Sequence, residues 1–325
     1  MKSNLRLLKF LILITIATGV VWWMDKDNGN IGNDAFANFA IEDTSLVTKI
    51  FIADNAGEAT LTREVGDRYW TLNGEYKTRD TSTDLLLKTF KRAAVKGAVD
   101  EKKRETVIRN LAGSAKKVEI YTGGDTPVKT WYVGSATPCH TGTYMLLETP
   151  EGKSSEPFIV HMEGFTGFLT TRFFSSIDEW RYTGIFHYPN RSLSEVSVVD
   201  HKNNYNTFTL RADSVDVLDL FISTGIEIGY TDTLKIQDQF LRFRKVHFES
   251  FNSRLSPTEE DSLKLSAPSY TITCKGVDGS SSSVVLFDKD EEHMYGLTED
   301  NQVVLVQTFV FNPLTVGLHS LLELR

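Results

Sequence analysis

"LVTKIFIAD" (residues 46–54) alternates apolar and polar side chains, and a stretch of the same kind, "SLSEVSVVD" (residues 192–200), returns in the second half of the chain. A period of two marks a half-buried β-strand with one face on a core. The echo continues: "TLTR" at 60–63 is answered by "FTLR" at 208–211, and "FIVHMEGFTGFLTT" at 158–171 by "VVLVQTFVFNPLTV" at 303–316. The offset stays near 145 to 150 residues throughout. This common order predicts an internal duplication: two similar α+β lobes of mostly antiparallel sheet with packed helices, over residues 46–185 and 186–325. The junction between them is expected within residues 175–194.

Each lobe is expected to pass from strands to helices and back to strands. In "DTSTDLLLKTFKRAAV" the period changes, with Leu86, Leu87, Phe90 and Ala94 on one helical face and capping residues from Asp80 to Thr83. "EKKRETVIRNLAG" predicts a second helix carrying Val107, Ile108 and Leu111, with Gly113 as its stop. In the second lobe "DTLKIQDQFLRFRKVHFESF" supplies Ile236, Phe240, Phe243 and Phe251 in the slot of the first helix. The length of 325 residues suits two units, because single cores seldom grow much beyond ~250 to 300 residues. A hydrophobic fraction of 41% and a charged fraction of 24% are those of a chain that folds. The net charge of −8 and the lack of a basic stripe exclude a protein built to grip nucleic acid.

At the N-terminus, Lys2, Arg6 and Lys9 precede the apolar run Phe10 to Met24. Extended back to Leu5, this run is long enough to span a bilayer as a helix, and Trp22 and Trp23 suit its interface. The expectation is a single-pass inner-membrane protein anchored through residues 5–24, with a cytoplasmic start (1–24 in all), a tether over 25–45 and the bulk of the chain periplasmic. A cleaved signal peptide, with "AFA" at 35–37 as its site, is the alternative.

Cys139 followed by His140 is the raw material of a nucleophilic site, but neighbours in an extended segment point apart, so the pair is read as an incidental feature of a turn. A disulfide with Cys274 is the other reading of the thiol. The seven histidines show no His-x-x-x-His spacing, "DKDEEH" (288–293) lacks the glycine of a calcium loop, and "YTGGDTP" (121–127) reads as a hairpin turn. Neither a catalytic residue nor a metal or cofactor ligand is therefore assigned. The residues singled out are Phe165, Phe168, Arg172, Phe173, Phe174 and Trp180, whose aromatic and arginine composition suits either a seam between lobes or a partner-contact patch.

The segments "FAIEDTSLVTKIFIAD", "VEIYTGGDTPVKTWYVG", "TGTYMLLE" and "PFIVHMEGFTGFLTTRFF" resemble the domain of unknown function 4340 family of bacterial cell envelopes, from the N-terminal span onward. In the family that this chain resembles, the turn before "GTYM" usually carries an acidic residue where this chain has Cys139, a departure that weakens a catalytic role for the thiol. The resemblance implies a partner of ABC-transporter type, related to gliding motility, and supplies no catalytic residues. The expected function is a non-catalytic binding or scaffolding module; the alternative is an envelope hydrolase or glycan-binding protein using acids in an interlobe cleft.

Overall fold

The computed structural model describes residues 36–212, 218–229, 231–252 and 254–322, together with Thr15 and Thr18. The chain divides into two compact units, one ending at Tyr182 and the other beginning at Thr183. In the first unit, β1 (Lys49–Ala53), β2 (Glu58–Thr62), β3 (Thr71–Leu72) and β4 (Tyr76–Lys77) form a meander. Helix α1 (Asp80–Arg92), β5 (Ala93–Ala98) and α2 (Glu101–Ser114) follow, and then β6 (Lys116–Tyr121), β7 (Lys129–Ala136), β8 (Thr143–Thr149), β9 (Gly152–Lys153) and β10 (Phe158–Met162). The strands join in the order β4-β3-β2-β1-β6-β7-β8-β10-β5, with β9 added to β8. All these pairings are antiparallel.

The second unit opens with β11 (Gly184–His187), β12 (Leu193–Asp200), β13 (Phe208–Ala212) and β14 (Leu218–Ile222). Next come α3 (Thr233–Arg242), β15 (Lys245–His247), β16 (Ser250–Phe251) and α4 (Pro257–Leu265). It closes with β17 (Tyr270–Gly276), β18 (Ser281–Asp288), β19 (His293–Thr298), β20 (Val303–Gln307) and the short α5 (Thr308–Phe311). Its main sheet runs β14-β13-β12-β17-β18-β19-β20-β16. Strand for strand this is the order β3-β2-β1-β6-β7-β8-β10-β5 of the first unit.

Pairing register makes the correspondence residue-specific. Ile50 lies between Leu61 and Ile120, and Val196 lies between Leu210 and Cys274. Leu61 in turn faces Leu72, as Leu210 faces Leu220. The main core of each unit takes in one helix, α1 through Leu86 and Phe90 and α3 through Ile236 and Phe240, and in the first unit α2 adds a smaller cluster of Val107 and Leu111 with Leu146 of β8. In the first unit Phe90 meets Trp131 edge-on at 5.1 Å, and Phe39 and Phe173 surround the same indole.

Several expectations are corrected. Among the described residues no helix is long and apolar enough to cross a membrane. The longest of them, α2, has 14 residues, about 21 Å at 1.5 Å per residue, and is rich in Lys, Arg and Glu. The fold class is therefore mostly antiparallel sheet with packed helices, without a described spanning helix, and the single-pass inner-membrane and periplasmic assignment does not stand. The span expected over residues 5–24 lies, apart from Thr15 and Thr18, outside the described residues. The tether expected over 25–45 is also too long: Ala37, Phe39 and Ile41 are buried in the first core, because Phe39 supplies a face of the aromatic cluster around Trp131. In the second unit the helix ends at Arg242 and Phe251 lies on β16; the period of two from Lys245 onward belongs to sheet pairing.

Trp131→Ala is expected to cost about 3–5 kcal/mol of unfolding free energy, read from urea denaturation, since it empties a fully buried site ringed by aromatics. Gly134→Ala is expected to cost about 1–3 kcal/mol by the same measurement, because its Cβ would fall 2.6 Å from Leu111 Cδ2 and 2.9 Å from the Tyr144 carbonyl.

Candidate functional site

In the second unit a cavity of about 380 Å³ opens where α3 crosses the ends of β12, β13 and β14. Its apolar wall is made by Leu193 at the start of β12, Ala212 at the end of β13, Leu218 at the start of β14 and Phe240 from α3. Leu241 and Val277 reach its rim and are 48% and 68% exposed. Polar groups converge from two sides. Gln237 comes from α3, Arg244 follows that helix, and Asn190, Arg191 and Ser194 come from the turn before β12 and its first residues.

The turn is built to hold these groups. Asn190 has a φ of 53°, a left-handed conformation that Asn tolerates better than most residues, and Ser192 N donates to Pro189 O. Tyr188 fastens the turn to the core, its N–H donating to Arg244 O at 2.8 Å and its hydroxyl to Cys274 O at 2.9 Å. Arg244 Nε donates to Tyr188 O at 3.4 Å, and among the described residues its guanidinium makes no ion pair. Arg191 and Arg244 stand beside the apolar wall among the described lining residues.

The matching place in the first unit is filled by the chain itself. Arg63, two residues beyond Leu61, corresponds to Ala212, and Trp70, two before Leu72, corresponds to Leu218. Arg63 Nε donates to Val47 O at 2.8 Å, Nη2 to Thr44 O at 2.7 Å and Ser45 O at 3.3 Å, and Nη1 to Asp67 O at 3.0 Å. Its guanidinium stacks 4.5 Å above the buried Trp70 indole. Thus one repeat holds an indole and a guanidinium where the other has alanine, leucine and a cavity.

The residues singled out from sequence are dispersed. Phe173 and Trp180 are fully buried core residues of the first unit and cannot form a contact patch. Phe174 packs against Trp180 at 5.5 Å, and the Trp180 Nε1 donates to Phe174 O. Phe165 is exposed, but the Arg172 guanidinium covers it at 4.1 Å while Nη1 donates to Thr89 Oγ1 at 2.7 Å. Phe168 lies 5.6 Å from the His140 ring. Of the six, Phe165 is exposed, Phe168, Arg172 and Phe174 are half-buried, and Phe173 and Trp180 belong to the core, because a composition that suits a patch does not separate core-facing from solvent-facing side chains.

Cys139 and His140 do not form a nucleophile–base pair. His140 has a φ of 54° and its N–H donates to Thr137 O, while the Cys139 thiol hydrogen-bonds with Thr141 Oγ1 at 3.0 Å and Thr137 Oγ1 at 3.4 Å. The Thr137 and Thr141 hydroxyls hold this exposed thiol well below its usual range, at about 6. Cys274 is free too; its burial pushes the thiol pKa up, so the disulfide reading gives way to two separate thiols. Among the described residues no group of three or more His, Cys, Asp or Glu is placed to hold a metal ion.

Of the cavity residues only Phe240 was named from the sequence, as part of an apolar helix face and not as a site residue. The signal that could have found them is the comparison of repeats in the right register: placing "TLTR" over "FTLR" sets Arg63 against Arg211, one residue from its structural counterpart Ala212. No known family, curated protein or solved structure matches the chain, so the site rests on its own geometry.

Iodoacetamide labelling of the folded chain is expected to rise with pH at Cys139 with a midpoint near about 6, as the thiolate forms, and to leave Cys274 unlabelled. Thr137→Val with Thr141→Val should move the Cys139 midpoint upward toward the ordinary thiol value of about 8.5. An unchanged midpoint in that variant would remove the hydroxyls as the cause.

Proposed function

We propose that this protein is a non-catalytic binding module whose second unit receives a small organic ligand in the cavity between α3 and the ends of β12–β14. The observation that supports the reading is the contrast between the repeats. The strand order shared by the two sheets sets Arg63 and Trp70 of the first unit at the places of Ala212 and Leu218, which border a cavity of about 380 Å³ in the second. That volume lies in the range of small-molecule sites, roughly 300–1,000 Å³. The lining also has the composition of such sites, an apolar wall with a few convergent polar groups. A catalytic reading would need a nucleophile with a base, or a set of acids, aimed into the space, and the described lining holds neither.

Ligand-observed NMR of the full chain against a collection of small organic fragments is the test. Binders are expected whose signals are lost in Leu218→Trp, a change that puts the first repeat's own side chain into the slot, with circular dichroism showing retained fold. Binders unaffected by Leu218→Trp, or an absence of binders, would overturn the assignment.

A further inference from the structure

The helix of each main core buries one polar side chain, and the two repeats meet its hydrogen bonds differently. In the first unit Thr89 Oγ1 of α1 donates to Leu85 O at 2.7 Å and accepts from Arg172 Nη1 at 2.7 Å. The same guanidinium rests on the Phe165 ring at 4.1 Å. In the second unit Gln239 of α3 stands at the place of Thr89 and is 4% exposed. Its Nε2 donates to Pro313 O at 3.0 Å and to Leu314 O at 3.2 Å, which occupies both amide hydrogens and fixes which end of the amide is oxygen. Its Oε1 accepts no hydrogen bond among the described residues. The donor that serves Thr89 has no counterpart here: with Leu314 and Thr315 answering Leu169 and Thr170, Gly317 falls at the place of Arg172. Gln239 instead borders a second cavity, of about 300 Å³, between α3 and the segment that follows α5.

We infer that this second cavity binds a guanidinium group, with Gln239 Oε1 and the Asp238 carboxylate as its acceptors. The inference is independent of the cavity between α3 and the ends of β12–β14 and goes beyond the function proposed for it. A donor is called for by the buried acceptor: an amide oxygen held in place and left open is costly unless something bonds to it. The first repeat shows which donor this position takes, since a guanidinium satisfies Thr89 there. The helix favours a cation more in the second repeat than in the first, because Asp238 occupies the place of Lys88. Asp238 bonds Arg242 through Oδ2, at 2.6 Å from Nη2, and its Oδ1 accepts nothing among the described residues. Lys235, the other cation of the lining, is paired with Asp232 at 3.3 Å. The opposite wall carries Pro313, Val316 and Leu321, an apolar surface that suits the weakly hydrated, planar guanidinium better than a strongly hydrated ammonium. Five N–H donors in one fork let the group serve two acceptors at once.

Isothermal titration of the full chain with Nα-acetyl-arginine methylamide, its citrulline and lysine counterparts, and agmatine tests this. The citrulline compound keeps the shape and loses the charge; the lysine compound keeps the charge and loses the fork. The arginine compound is expected to bind at least tenfold more tightly than either, the scale of a hydrogen bond to a charged group. Agmatine binding as tightly as the arginine compound supports a free guanidino ligand, and binding confined to the arginine compound supports an arginine side chain of a protein. Gln239→Leu is expected to abolish binding, with circular dichroism reporting the fold. Asp238→Asn, at an exposed position, is expected to weaken it about tenfold and carries the test if Gln239→Leu does not fold. Leu218→Trp, which fills the other cavity, should leave the affinity unchanged. Citrulline or lysine compounds binding as tightly as arginine, an unchanged affinity in Asp238→Asn, or binding lost in Leu218→Trp each overturns the guanidinium site. So does the absence of binding by all four probes, and the reading of the other cavity then stands or falls on its own fragments.

Discussion

Each unit is organised by one packing constraint: the main core of its antiparallel sheet is closed by one helix, α1 in the first unit and α3 in the second, while in the first unit α2 adds a smaller cluster through Val107 and Leu111. In the first unit Phe90 of α1 meets Trp131, with Phe39 and Phe173 closing the cluster around the indole and Leu86 buried in the same core. In the second unit Ile236 and Phe240 take the places of Leu86 and Phe90. Even the polar residue between them is matched. Thr89 and Gln239 are both buried and both reach backbone carbonyls, Thr89 Oγ1 donating to Leu85 O and Gln239 Nε2 to Pro313 O. Burial of this kind is what makes the strand order durable, because moving one strand by one residue would turn every core side chain to the opposite face.

Where the helix crosses the ends of the strands, the constraint relaxes and the repeats part. The slot there must be filled by something large, or remain a cavity. Trp70 and Arg63 fill it in the first unit, with the guanidinium satisfied by four carbonyls and stacked on the indole. In the second unit Ala212 and Leu218 are too small to fill it, and a cavity remains. A duplicated fold thus provides its own control: the same backbone carries one occupied slot and one open one. The proposed binding function is attached to the open slot because the first repeat fills the matching place with its own side chains.

Much of the fold was legible in the sequence. Alternation in "LVTKIFIAD" and "SLSEVSVVD" identified β1 and β12 in their correct mutual register, and the helical period over Leu86 and Phe90 located α1. The boundaries were less legible. Ala94 belongs to β5, and Phe39 belongs to the first core, since backbone pairing and aromatic packing override what a local window shows. The candidate site was not legible at all. Its residues come from a turn, three strand ends and a helix, separated by up to 87 positions between Asn190 and Val277. The aromatic run from Phe165 to Trp180 drew attention because its composition was conspicuous, yet Phe173 and Trp180 serve the core.

The sequence by itself determined what local periodicity and composition can carry: strand and helix periods, the repeat of their order, an acidic surface unsuited to nucleic acid, and two cysteines without a metal-binding pattern. These are properties of short windows and of totals. The tertiary structure alone decided which residues of one repeat stand opposite which of the other. That alignment depends on hydrogen-bond register across strands, where Leu61 meets Ile50 and Leu210 meets Val196. Only in that register does Arg63 fall on Ala212 and Trp70 on Leu218. A filled slot and an open cavity then become visible as two outcomes of one fold, because cavity volume is a property of packing between distant segments and is not carried by any one of them.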